Sequence, residues 1–330
     1  MDQNELLDPF NRLLADACTP AVVRAIEGGG SPAVLWDALE TSGFLDALAP
    51  ESAGGVGLSL GAVAPLLMAL GHFAVPLPVA ETMVARALLG DAGIEHPQGP
   101  IVLATFVSRA AIPMARTAGH ALVQYGQELV LTKLADVPMQ DTGVHHSLAA
   151  VISWPATPAG RVFAAGDTDL LALGAVLRAT AIAGAADRLL AMTIAHANER
   201  VQFGKPIGRQ QAIQQQLAVM AEHVVATRMA AEIGCAGGLR GDVMAAATAK
   251  RMASAAAATV ADIAHAVHGA IGISEELDVQ LHTRRLREWR LADGGERYWA
   301  ERLGYARLAA AGMSSLDFVR TRIATTESDA

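Results

Sequence analysis

The sequence predicts a mainly α protein in three parts: an N-terminal helical domain over residues 1–97, a reduced β domain over 98–165 and a C-terminal helical bundle over 166–330. Three observations lead there. Apolar residues recur at helical spacing up to about residue 95 and again after Asp169. Between these regions the pattern shortens to apolar or alternating runs cut by Gly, Pro and Asp, which is how strands read. The composition is 52% hydrophobic but only 4% aromatic, so Ala, Leu and Val carry the apolar content and suit closely packed helices. At 330 residues the chain is also too long for one small core.

In the first part, "SPAVLWDALETSGF" reads as a helix with Ser31 as N-cap, Pro32 at the first helical position and an end near Gly43. Leu35, Trp36 and Leu39 give it an apolar face. A breaker-rich loop, "APESAGGVGLSLG", leads into the helical run "GAVAPLLMALGHF", and "VAETMVARALLG" follows Pro78. Gly55, Gly57 and Gly61 are spaced G-x-G-x-x-x-G with no strand before them. A dinucleotide fingerprint needs that strand, so these glycines read as turn and cap residues.

In the middle part, "PIVLATFV", "HALVQYG", "ELVLTKL" and "AAVISW" predict a small, mostly antiparallel β unit. The third part opens with one long helical run ending at Phe203-Gly204-Lys205-Pro206. A second run begins near Gln210 with Ile213, Leu217, Met220 and Val224 at helical spacing. "GCAGGLRG" ends it, an Ala-rich run covers 242–268, and "SEELDVQLHTRRLREW" and "GERYWAERLGYARLAAAG" complete a bundle.

The bulk properties exclude several function classes. A formal net charge of −8 without a basic aromatic stripe argues against nucleic acid. No uninterrupted apolar run near bilayer length is apparent, so no membrane span is expected. Cys18 and Cys235 have no metal or disulfide spacing, and the acidic "MDQNELLDPF" start predicts a cytoplasmic protein. His265 and His268, three apart with only Asp262 nearby, read as structural, so no metal is expected. Glu296, Arg297, Glu301 and Arg302 read as a charged face.

The stretch "ANERVQFGKPIGRQQAIQQQLAVM" carries more chemistry than a helix connection needs. Arg200 offers a permanently charged, bidentate fork for phosphate. Phe203 offers a flat face, Gly204 allows close backbone approach, and Gln211 supplies amide donors. These suit a flavin dinucleotide. The same residues also fit a plain helix hairpin with a solvated arginine and a core phenylalanine.

This stretch closely resembles a motif of the acyl-CoA dehydrogenase family, in which the turn lies between two helices of the C-terminal bundle. "AVHGAIGISEELDVQLHTRRLREW" resembles the family's second C-terminal motif, and "LWDALETSGFLDALAPESAGGVGLSLG" resembles its N-terminal domain. The resemblance implies the acyl-CoA dehydrogenase-like fold, FAD as cofactor, an acyl-CoA substrate and an electron-accepting flavoprotein. It places Arg200, Phe203 and Gln211 on the adenosine diphosphate part of a neighbouring subunit's FAD, with Gly269 close to the diphosphate.

The departures from the family pattern point to a division of labour. Ala266 stands where the family has a glutamine, and Ala270 replaces a glycine. The β unit is short and lacks the usual segment that holds the flavin ring, since Trp154 stands outside that motif. The family's usual base, a glutamate, falls on Asp293 here, and its alternative location falls on Gly174. Asp293 is one methylene shorter, about 1 Å less in reach, and it also reads as a turn residue or a cap for the following helix. The expectation is therefore the short, cofactor-supporting subunit of a hetero-oligomeric acyl-CoA dehydrogenase. A self-sufficient homo-oligomer using Asp293 and a non-catalytic assembly protein of the same fold are the alternatives.

Overall fold

A computed structural model describes residues 3–107, 110–157 and 159–323. Its first part is five helices: α1 (Gln3–Ala17), α2 (Pro20–Glu27), α3 (Ala33–Thr41), α4 (Leu60–His72) and α5 (Val79–Asp91). Side-chain caps set several starts. Thr19 accepts from Val22 N at 3.4 Å before α2, and Ser59 accepts from Ala62 N at 3.1 Å before α4. At α3 the sequence reading shifts by one residue. The helix opens at Ala33 with Pro32 as N-cap, while Ser31 Oγ accepts from Ala33 N at 3.3 Å. Gly55 is held by packing, because a Cβ there would lie 2.1 Å from Ala49 O.

The β unit is two small sheets. Strands β1 (Ile101–Thr105), β3 (His120–Tyr125), β4 (Glu128–Lys133) and β7 (Arg161–Ala164) form one in the order β1-β3-β4-β7. Strands β2 (Ala110–Ile112), β5 (Met139–Asp141) and β6 (Ala150–Ile152) form the other in the order β2-β6-β5. All pairings are antiparallel except β1 with β3, which run parallel with Leu103 opposite Leu122. The sequence reading missed β2, β5 and β7. They span only three or four residues, and β5 and most of β7 are exposed, so no apolar alternation marks them.

The third part is α6 (Leu170–Glu199), a two-residue ribbon of β8 (Val201–Gln202) and β9 (Lys205–Pro206), then α7 (Gln211–Ala236), α8 (Val243–His268), α9 (Val279–Leu291), α10 (Glu296–Ala309) and α11 (Ser315–Arg322). Asp169 caps α6 through Ala172 N at 3.0 Å, and Asp242 caps α8 through Met244 N and Ala245 N, both at 2.8 Å. Contrary to the hydropathy reading, α6 is long and apolar enough to cross a bilayer. Most of it is buried against α4, α7, α8 and α9, which explains that composition as a core helix.

Glycine joins the first part to the bundle. At the α4–α6 crossing, a Cβ on Gly71 would lie 2.0 Å from Ala181 O, and one on Gly184 would lie 1.8 Å from Met68 O. Backbones this close admit no side chain, so the crossing depends on both glycines. The paired arginines of α9 add an ionic tie. Arg284 and Arg285 both donate to the carboxylate of Glu27 on α2, at 2.6 and 2.9 Å, with Glu27 buried.

Candidate functional site

The candidate residues fall at two separate places. At one end of the bundle stands the ribbon after α6. Phe203 and Gly204 both have positive φ, 52° and 78°, the conformation of the two central residues in a type I′ hairpin turn. Gln202 pairs with Lys205 across that turn, and Ile207 N donates to Arg200 O at 2.8 Å. Phe203 is therefore pushed out into solvent at 91% exposure, which overturns the core-phenylalanine alternative. Arg200 and Gln211 are exposed beside it, and Arg200 has no ion-pair partner among the described residues.

Gly269 belongs to the same end. Ala197 of α6, Ile207 after the ribbon and Val267 of α8 form a small buried cluster, with Ile213 and Leu217 of α7 packed against it. His196 and His268 stack across it with centroids 4.4 Å apart, both held below the usual histidine range by burial and so uncharged at neutral pH. Gly269 follows directly, exposed and with φ 65°. Four residues from three sequence segments thus share one end of the molecule. A cation, an exposed ring, an amide and an open backbone fit the adenosine diphosphate half of FAD. Ala266 and Ala270, also exposed, add no polar side chain there.

The predicted base lies far from this end. Asp293 sits in the loop between α9 and α10 with φ 53°, followed by Gly294 at 86°. The turn reading holds, but the cap reading does not, because the N-cap of α10 is Gly295 and no side chain caps it. The Asp293 carboxylate turns inward instead. It pairs with Arg178 Nε at 3.3 Å and lies against Gly174, where a Cβ would come within 2.9 Å of its Cγ. The two positions at which the resemblance places a base are therefore in contact.

Around that carboxylate is a buried ionic cluster. Arg178 also pairs with Glu81 of α5, and both side chains are almost wholly buried. Lys250 of α8 is fully buried and donates to Ser254 Oγ, Arg290 O and Gly294 O at 2.9, 3.0 and 2.9 Å. Trp299 Nε1 donates to Asp293 O at 2.9 Å. The loop is thus tied down by its own carbonyls. Burial pushes the Asp293 carboxyl above the usual range against the pull of Arg178 and Lys250, and burial lowers the Lys250 ammonium to about 7. Sequence reasoning missed Glu81, Arg178 and Lys250 because each sits singly in an otherwise ordinary helix.

A cleft of about 520 Å³ opens beside this cluster, between the β unit and α9. Pro113, His146, Leu148, Glu288, Leu291 and Ala292 are among its walls, but Asp293 is not. Glu288 accepts from Ser147 Oγ at 2.6 Å. Trp154 is buried in the core with its indole N–H unpaired and does not line the cleft. Asp262 pairs with Arg287, Arg297 pairs with Glu301 on the surface, and His265 and His268 form no metal group among the described residues.

Geometry, ribbon and bundle together define an acyl-CoA dehydrogenase fold, and the comparisons agree. Residues 167–315 match the family model "Acyl-CoA dehydrogenase, C-terminal domain". The chain is 32% identical over 301 residues to acyl-CoA dehydrogenase IpdE2 of Mycolicibacterium smegmatis, covering 86% of this chain and 92% of that protein. This chain therefore belongs to the acyl-CoA dehydrogenase family. Among solved structures it resembles a chain of the Tcur3481-Tcur3483 steroid ACAD G363A variant, at TM-score 0.81 and 25% identity over 94% of this chain and 99% of that one. It also shares its fold with a chain of the ChsE4-ChsE5 complex from Mycobacterium tuberculosis, at TM-score 0.76 and 21% identity over 94% and 98%.

Proposed function

We propose that this chain is the cofactor-supporting, base-lacking subunit of a hetero-oligomeric, FAD-dependent acyl-CoA dehydrogenase that acts in the cytoplasm. The observation that carries the reading is the closure of its own base position. The Asp293 carboxylate pairs through Oδ2 with Arg178 in a largely buried cluster, and it does not line the neighbouring cleft. A base must stand over the Cα proton of the thioester with its lone pair free. A carboxylate paired with an arginine and absent from the walls of the cleft does not stand over a thioester bound there.

Separation along α6 supports the same division. Arg178 lies in its first third and Arg200 just past its end, 22 residues on. At 1.5 Å per residue that is about 33 Å. One cofactor molecule does not span from the ribbon to Asp293 in the same chain. In this reading Arg200, Phe203, Gln211 and Gly269 hold the adenosine diphosphate half of a flavin whose ring and base belong to a partner subunit. When bound, the flavin supplies the hydride acceptor for α,β-dehydrogenation. Arg200 neutralises the diphosphate, Phe203 covers an apolar face, and Gln211 donates hydrogen bonds. An electron-transferring flavoprotein would reoxidise the enzyme. One solved relative is a steroid ACAD and both are two-component assemblies, which supports a bulky, sterol-derived acyl-CoA and a second dehydrogenase chain.

The test is flavin content and turnover with and without the partner chain. Expressed alone, this protein should carry far less than one FAD per chain, and the co-expressed assembly should be yellow. Arg200→Ala should strip FAD from the assembly on dialysis while its helical circular dichroism is unchanged. Asp293→Asn should alter anaerobic flavin bleaching by acyl-CoA by no more than a few fold. Stoichiometric FAD in the lone chain, with a hundredfold or greater loss in Asp293→Asn, would instead make it a self-sufficient dehydrogenase. No flavin in any assembly would leave the non-catalytic scaffold.

A further inference from the structure

The loop between β5 and β6 and the turn before α9 are separated by some 130 residues, yet they meet through three ligand-type side chains. His145 Nε2 lies 3.0 Å from Glu275 Oε1, and His146 Nε2 lies 3.7 Å from the same oxygen. The three ligand atoms all fall within 4.8 Å of one another. Neighbouring residues in an extended loop point to opposite sides. Here both rings face the same carboxylate, with centroids 3.7 Å apart, because His146 adopts a left-handed backbone with φ 56°. Asparagine, aspartate and histidine enter that region more readily than most residues, but it still carries a cost.

We propose that His145, His146 and Glu275 form a divalent transition-metal site, fitted best by zinc, that clips the β unit to the C-terminal bundle. The ligand set decides the class of ion. Two imidazoles and one carboxylate suit zinc, nickel or copper, whereas calcium and magnesium call for oxygen ligands. Zinc holds nitrogen and oxygen at about 2.0–2.2 Å, which puts tetrahedral ligand atoms roughly 3.3 Å apart. The two glutamate distances bracket that value, and the widest pair needs to close by about 1.5 Å, within reach of ring rotation.

Both halves are already held in place. Ser147 N donates to Val144 O at 3.1 Å, and Ser147 Oγ binds Glu288 at 2.6 Å, which fixes the histidine loop. Arg24 donates to Glu275 O and pairs with Asp278 at 2.6 Å, which fixes the turn. Of the nearby cations, Arg24 pairs with Asp278, and Arg284 shares the Glu27 carboxylate with Arg285. Three protein ligands leave a fourth position open for water. His145 and His146 also line the cleft. This inference does not depend on the flavin reading.

Isothermal titration of the full, chelator-stripped chain with zinc chloride tests it, repeated on His146→Ala, Glu275→Gln and the control His223→Ala. The expected result is one zinc per chain with Kd below about 10 µM, weakened at least tenfold by either ligand variant, on the scale of losing a strong metal contact. The control should match wild type within about twofold, and calcium chloride should give no saturable heat. Saturating zinc should raise the melting temperature of wild type but not of the ligand variants. Absence of a site tighter than 10 µM, tight binding that survives both ligand substitutions, or competition by calcium would each overturn the assignment.

Discussion

Removing Arg178 should be among the most damaging single substitutions in this chain. Its guanidinium is 6% exposed, Glu81 is 7% exposed and Asp293 is 23% exposed, so all three charges lie largely out of water. Arg178→Met deletes the cation shared by both carboxylates and strands them. Breaking a buried pair from one side costs about 3–5 kcal/mol, a large share of a typical 5–15 kcal/mol total. Glu81→Gln should cost less, about 1–3 kcal/mol, because Arg178 keeps Asp293 at 3.3 Å as a partner. The double variant should be more stable than the sum of the two singles implies, by about 1–3 kcal/mol, since it no longer buries an unpaired charge at position 81. Urea unfolding followed by circular dichroism measures all three. If Arg178→Met cost under about 1 kcal/mol, the value of a solvent-exposed pair, the cluster would be open to water. An acyl chain could then reach Asp293, and the argument for a closed base position would fail.

Three further outcomes follow from the geometry. Lys250 is held at about 7 when folded and returns to its ordinary value on unfolding, so the unfolded chain binds the extra proton between those values and stability rises with pH there. Relative to Lys250→Met, wild type should gain about 2 kcal/mol from pH 7 to 8.5, and parallel denaturation curves would mean that the three acceptors keep the ammonium charged. Gly184→Ala places a Cβ 1.8 Å from Met68 O, so the α4–α6 crossing must open. A loss of at least about 1–3 kcal/mol is expected, and an unchanged melting temperature would refute the close approach. Burial pushes both the Cys18 and Cys235 thiols up to about 12, so neither should react with a thiol reagent at pH 8 until the protein unfolds. Fast labelling of the native chain would contradict their burial.

The sequence by itself determined the order of the parts, and the reason is periodicity. Long helices such as α6 and α8 repeat their apolar residues over many turns, while the caps Thr19, Ser59, Asp169 and Asp242 emerged with the structure. The turn after α6 was legible from Gly204 and Pro206, whereas its ribbon form and the left-handed backbone that exposes Phe203 came from the structure. Strands β2, β5 and β7 were not legible, being too short to display a period. The fate of Asp293 was invisible as well. The family resemblance put it where a base belongs, but the environment of its carboxylate depends on Glu81, Arg178 and Lys250, which come from three different helices. The same holds for His145, His146 and Glu275, which meet only when the β unit docks on the bundle. Ionisation, reach and ligation depend on groups distant in the chain, and only tertiary packing brings those together.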